Sequence, residues 1–348
     1  MLETIREFAL ERLHNSGVED DLRRRHARRM LEIARAAHLA TGDVELDVEV
    51  VLTEREDLRA ALDWAEANDA NFGLELAVSI QNLWIASGPK EGMDRIERLF
   101  DRAGGIPTKL RAKALRAYAA TSDMSGHDQQ AEQLLRESQR LYEELGDEEG
   151  IATVEHMLAV SAWRREDWER MRELTEHSLD LARGRFGHLE TSNYWLLGQL
   201  ALADGDLQQA IELTRRSADL ARESGWAWWE SGQRHELLML SLRRGDLDEA
   251  EREGVAALEM ERGQENRRWA LYTFAGLAQV ALGRGDLERA GLLWGAAEKE
   301  AESLPRWADE RARRGGALLE EHREGFASAQ DRGRALELWD AVAVALGE

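Results

Sequence analysis

Apolar residues recur at three- and four-residue intervals along most of this 348-residue chain, the spacing that lines up one face of an α-helix. Leu52, Leu58, Ala61, Leu62 and Trp64 mark such a face over residues 50–68. Residues 1–15 read as a first helix, with a turn near Asn15-Ser16-Gly17. Asp20 to Ala40 read as a second, broken at Thr41-Gly42-Asp43. From Asn71 to Ser303 the pattern predicts consecutive helix pairs joined by short Gly-marked turns, after which Pro305 interrupts and two further helices close the series. No low-complexity linker divides the chain, which reads as one continuous array.

The turns repeat. Gly205-Asp206-Leu207, Gly245-Asp246-Leu247 and Gly285-Asp286-Leu287 stand 40 residues apart, each with an alanine four residues after the aspartate: Ala210, Ala250 and Ala290. Backwards, the register meets Glu166-Asp167 with Met171, Gly126-His127 with Ala131, and Gly92 after Gly88-Pro89; forwards it meets Gly325. Glycine can end one helix in the left-handed conformation, and aspartate can cap the free amides opening the next. Small residues seven positions before the turn (Ala119, Ala159, Gly198 and Ala278, with Leu238 the exception) let paired helices approach closely. A single helix pair cannot bury its apolar stripe alone, so neighbours stack. The expected fold is all-α: a right-handed α-α superhelix, resembling tetratricopeptide arrays, of antiparallel helix pairs with a 39–40-residue period.

Composition narrows the function. The formal net charge of −22 argues against nucleic-acid binding by this segment, since phosphate neutralisation needs clustered cations. Arg23-Arg24-Arg25 and Arg311 to Arg314 are short runs that read as ion-paired surface. The absence of cysteine excludes disulfides and thiol chemistry and fits a reducing cytoplasm. No apolar run is long enough to span a membrane, and Met1 to Leu13 is a charged amphipathic stretch rather than a signal peptide. The nine histidines form no His-Glu-x-x-His pattern, and no serine or threonine sits in a nucleophile elbow, so neither a catalytic nor a metal site is expected. No cofactor is expected either.

Four segments resemble one family. Met1-Leu2-Glu3-Thr4-Ile5-Arg6-Glu7-Phe8-Ala9, Glu56-Asp57-Leu58-Arg59-Ala60-Ala61-Leu62-Asp63-Trp64, Leu293-Trp294-Gly295-Ala296-Ala297-Glu298, and Gly325-Phe326-Ala327 with Gly333-Arg334-Ala335-Leu336 look like the helical-repeat region of bacterial signal-transduction ATPases with numerous domains, the AfsR-like and LuxR-like regulators. The resemblance implies that residues 1–16 end a winged-helix module and that residues 17–348 are the repeat domain. It also implies an upstream ATPase as partner and a small-molecule or peptide inducer. The chain departs from the pattern in having no Gly-Lys-Ser/Thr phosphate loop, no helix-turn-helix before Glu348, and Asp57 where asparagine is frequent. A stand-alone scaffold for protein assembly is the alternative reading.

The register also places candidate binding residues. Ten positions before each turn stand Arg116, His156, Trp195, His235 and Ala275; four residues later stand Ala120, Val160, Gln199, Met239 and Gln279; three residues before the first column stand Lys113, Thr153, Ser192, Gly232 and Tyr272. In stacked pairs these first helices line the concave face, so Arg116, His156, Trp195, Gln199, His235, Met239, Tyr272 and Gln279 are the expected ligand- or partner-binding set. Packing of Trp195 and Met239 between repeats is the competing expectation. Trp226, Trp228 and Trp229 cannot share one helix face, so at least one is expected at the surface or against a neighbouring repeat.

Overall fold

The computed structural model describes residues 12–13, 16–36, 48–302 and 325–348, and every element among them is helical. The chain packs as two compact units, Met1–Arg165 and Glu166–Glu348. The first holds α1 (Glu19–Ala36), α2 (Val48–Asn68), α3 (Ala70–Ser79), α4 (Gln81–Ser87), α5 (Pro89–Arg102), α6 (Thr108–Met124), α7 (Asp128–Leu145) and α8 (Glu148–Arg164). The second holds α9 (Trp168–Ala182), α10 (Gly187–Ala203), α11 (Leu207–Ser224), α12 (Ala227–Arg244), α13 (Leu247–Gly263), α14 (Arg267–Gly283), α15 (Leu287–Ala301), α16 (Ala327–Ala335) and α17 (Leu338–Leu346). Helices from α5 to α8 and from α9 to α15 each pack on their chain neighbours, and α12 also lies directly against α14, as first helices of successive repeats do. Residues 1–9, Thr41-Gly42-Asp43, Pro305 and Arg311 to Arg314 lie outside the described residues.

The turns form as their chemistry requires. Gly126, Gly205, Gly245 and Gly285 are left-handed, with φ of 82°, 81°, 81° and 77°. The amide after each reaches back to close the preceding helix: Asp206 N to Ala201 O at 2.8 Å, Asp246 N to Ser241 O at 3.0 Å, Asp286 N to Ala281 O at 2.9 Å. Each aspartate then caps the next helix, accepting from the amides of Gln209, Glu249 and Arg289 at 2.9, 3.0 and 3.0 Å. Asp147, Asp167 and Asn266 cap in the same way. Two turns put a side chain where glycine belongs, Glu166 at φ 57° and Glu265 at φ 52°. A left-handed non-glycine residue costs about 1–2 kcal/mol, so Glu265→Gly is expected to stabilise the second unit by about 1 kcal/mol after its own chain-entropy loss, read as a raised Tm in a thermal melt.

Helix pairing follows side-chain size. Ala119, Ala159, Ala210, Ala250, Ala278 and Ala290 are fully buried. At Gly198 an added Cβ would lie 3.2 Å from Thr214 Oγ1. Forty residues on, the sizes are exchanged. Leu238 stands in the small-residue position, and Gly254 stands where Thr214 did. A Cβ at Gly254 would meet Leu238 Cδ2 at 3.2 Å, and one at Gly276 would meet it at 2.5 Å. The exception in the column is therefore a size swap, with glycine on both neighbouring helices making room for leucine.

One register step is corrected. Gly92 is no turn but lies inside α5, where a Cβ would meet Trp84 Cγ at 2.6 Å; it is glycine because the buried indole of α4 rests on it. Gly325 precedes α16, a helix of 9 residues, where the preceding repeats have helices of 15 to 18.

Candidate functional site

Among the described residues, the segments that carry the family resemblance hold helices together. In α2, Leu58, Ala61 and Leu62 are fully buried, while the polar residues between them reach outward to neighbours. Arg59 binds Glu91 at 2.6 Å, Asp63 accepts from Arg95 at 2.7 Å, and Trp64 Nε1 donates to Asp20 at 2.9 Å. Arg95 also binds Glu66 at 2.9 Å and Glu91 at 3.2 Å, and Arg98 completes the network on Glu66. Burial alone would raise the Glu91 carboxyl, but the guanidinium groups of Arg59 and Arg95 hold it below the usual range. Arg23, Arg24 and Arg25 pair with Glu19 and Asp21 on α1 itself.

The predicted binding columns divide between the units and by burial. In the first unit Arg116 and His156 are half-buried. The Arg116 guanidinium stands beside the Tyr142 phenol, which burial pushes above its ordinary range while Arg116 acts in the opposite direction. Arg116 Nε is itself buried and makes no hydrogen bond.

In the second unit Trp195, Gln199, Met239 and Gln279 are half-buried, whereas His235 and Tyr272 are buried, at 5% and 4% exposure. The Gln279 amide donates to Ala275 O of its own helix at 3.3 Å. His235 packs against both Trp269 and Tyr272, ring centroids 5.5 and 6.0 Å away. One repeat earlier Trp195 meets Trp229 edge-on at 6.0 Å. In both pairs the covering tryptophan comes 34 residues later, so the column turns partly into the seam between successive first helices. That fixed offset of aromatic residues is the signal by which the burial of His235 could have been found.

The tryptophan triplet separates as helix geometry requires. Trp226 is buried and stacks on Trp229 at 4.8 Å. Trp229 Nε1 donates to Ser217 Oγ at 2.9 Å, and Trp228 is 36% exposed.

A buried polar group that the sequence reading did not single out lies behind His235. Glu261, near the end of α13, is fully buried. Thr273 Oγ1 donates to its Oε1 at 2.9 Å and lies 3.4 Å from His235 Nδ1, while Oε2 has no hydrogen-bond partner. Burial pushes the carboxyl up to about 8, the Thr273 bond opposing it. An unfolded glutamate titrates near 4.5, so this group favours folding fully below that pH, and the contribution is lost as pH rises from about 4.5 to about 8. The expected slope is about 1.4 kcal/mol per pH unit for one proton. Glu261→Gln keeps an acceptor for Thr273 and should remove that slope in urea unfolding measured between pH 5 and 8.5. An unchanged slope would mean that the carboxyl is ionised inside the fold.

Among the described residues no group of three or more His, Asp or Glu is placed to hold a metal ion, and no helix is long and apolar enough to cross a membrane. A shallow depression of about 670 Å³ lies at the α12–α13 turn, lined by Arg244, Asp246, Asp248 and Arg284. Its charges are paired with one another, Arg244 with Asp246 at 2.9 Å and Arg284 with Asp248 at 2.6 Å, and no acid–base constellation faces it.

No family model matches the chain. Over 131 residues it is 34% identical to candidate HTH-type transcriptional regulators of Mycobacterium bovis (Mb0914c) and Mycobacterium tuberculosis (Rv0890c). The match covers 35% of this chain and 14% of each relative, so the chain corresponds to a small part of their length. In three dimensions it is similar to a Rap protein solved in complex with Competence and Sporulation Factor, with a TM-score of 0.58 at 13% identity, covering 94% of this chain and 99% of that one. The fold is thus a tetratricopeptide-like helical solenoid.

Proposed function

We propose that this chain is the ligand-sensing and protein-interaction region of a bacterial transcriptional regulator, and that it carries no catalytic step itself. The observation that supports this most is the half-buried row Trp195, Gln199, Met239 and Gln279, in which apolar and amide groups recur along three successive first helices, α10, α12 and α14. Such a row presents recognition groups to a ligand or partner segment lying across several repeats. The partial match to mycobacterial regulators supports the regulatory setting, and the solved Rap complex offers a fold-level analogy for a helical array occupied by a factor. In this reading occupancy of the row biases an upstream ATPase and winged-helix region, by binding one arrangement better than the other.

The test is a thermal-shift panel of metabolites and peptides on the full chain. A binder should raise Tm, and calorimetry should show its affinity falling about tenfold when Gln199→Ala and Met239→Ala are combined. If no compound shifts Tm, the sensing function is overturned and the stand-alone scaffold becomes the better reading.

A further inference from the structure

α6 presents an unusual surface for so acidic a chain. Before Met124 the only residues it turns fully to solvent are Thr108, Lys109 and Lys113, with Arg116 half-buried on the same side. Lys109, Lys113 and Arg116 follow one another at intervals of four and three, so they form a single stripe about 10 Å long. The helix opens at Pro107 without a side-chain cap, leaving its first amides to add positive potential at the Lys109 end.

The cations are under-compensated. Lys109 meets Asp147 at 3.1 Å, but Asp147 already caps α8 by accepting the Gly150 amide at 3.1 Å. Neither Lys113 nor Arg116 has a carboxylate at ion-pair distance among the described residues. Asp147 also attracts Lys113 at longer range, and Glu149, exposed in the first turn of α8, acts on the Tyr142 phenol beside Arg116. Arg59 and the buried Arg95 are each clamped by carboxylates, whereas the half-buried Arg116 hydrogen-bonds the Tyr142 phenol and leaves its buried Nε unbonded. A half-buried guanidinium with no carboxylate beside it can donate charge-assisted hydrogen bonds to an incoming one.

We propose that the α6 stripe is a docking site for an extended acidic segment of a partner protein, its carboxylates meeting Lys109, Lys113 and Arg116 in turn. Alternate residues of an extended chain lie roughly 7 Å apart, close to the 6 Å rise from Lys109 to Lys113, so a line of carboxylates fits the stripe better than one compact anion does. This deepens the reading above, on which it rests, by naming the partner chemistry for the first unit.

The test is fluorescence anisotropy of a labelled peptide of alternating Glu and Ala, added to the full chain at low ionic strength. Saturable binding is expected, weakened about tenfold by Lys113→Glu and also by Arg116→Gln, and unchanged by Arg243→Glu, an exposed cation on α12. Lys113 is exposed, so its replacement leaves the fold intact. No saturable binding, an equal loss with Arg243→Glu, or displacement by inorganic phosphate at concentrations matching the peptide would each overturn the assignment. Binding that falls with Trp195→Ala but not with Lys113→Glu would overturn the α6 site while leaving the interaction-module reading in place.

Discussion

Gly295→Ala is expected to cost the second unit about 3 kcal/mol or more, and Gly333→Ala to do the same, because α15 and α16 cross backbone on backbone. A Cβ at Gly295 would fall well inside contact with Gln330 O and 2.9 Å from Arg334 N. One at Gly333 would meet the Leu292 carbonyl, its carbon 2.8 Å away, and one at Gly291 would stand 2.8 Å from Phe326 O. Backbone atoms cannot rotate aside as a side chain does, so the helices must separate. Separation would uncover Leu293, Trp294, Phe326 and Ala329, all buried here. Chemical denaturation should show a lowered midpoint for either alanine variant. A loss below about 1 kcal/mol would mean that the crossing is looser than the structure shows.

The second large effect is expected at Arg95. Its side chain is 11% exposed and bridges Asp63 on α2, Glu66 on α2 and Glu91 on α5. Glu66, also 11% exposed, would keep Arg98 but lose its buried partner if Arg95 were replaced by methionine. Breaking one side of a buried pair costs about 3–5 kcal/mol, because the remaining charge stays desolvated. Asp63 is 66% exposed and Glu91 29%, so both are partly relieved by water and the lower end of that range applies. Arg95→Met combined with Glu66→Gln should recover part of the loss, which a double-mutant cycle by urea denaturation would measure. Full additivity would show that the network contributes nothing beyond its separate packing.

These positions show how far the amino-acid pattern reaches. The turns at Gly205, Gly245 and Gly285 were legible because each requirement is local: a left-handed residue, a capping oxygen, a small residue four places on; Gly126 meets all but the capping oxygen, since His127 follows it. The separation of Trp226, Trp228 and Trp229 followed from helix geometry alone. What escaped were compensations between helices distant in sequence. Leu238 looks like a breach of the small-residue column until Gly254 and Gly276 are seen beside it. Gly92 keeps the register's spacing yet is glycine for a different reason, the Trp84 indole. Glu261 reads as one more surface acid among 68, because nothing in its own helix announces that Thr273 will cover it. The candidate columns fall on the first helices of successive pairs, but a position on a first helix can face outward or into the seam toward the next. His235 and Tyr272 take the second course, Gln199 and Met239 the half-exposed one.

Whether the half-exposed row is a recognition surface can be asked most directly by calorimetry. The full chain and its Gln199→Ala/Met239→Ala variant would be titrated with the strongest binder from the thermal-shift panel. A Glu212→Ala variant, altered on the second helix of the same repeat, serves as control. The row predicts about a tenfold loss of affinity for the double variant and none for the control, with all three proteins folded at the temperature of the titration. Equal affinity for all three, or a loss confined to Glu212→Ala, would contradict it.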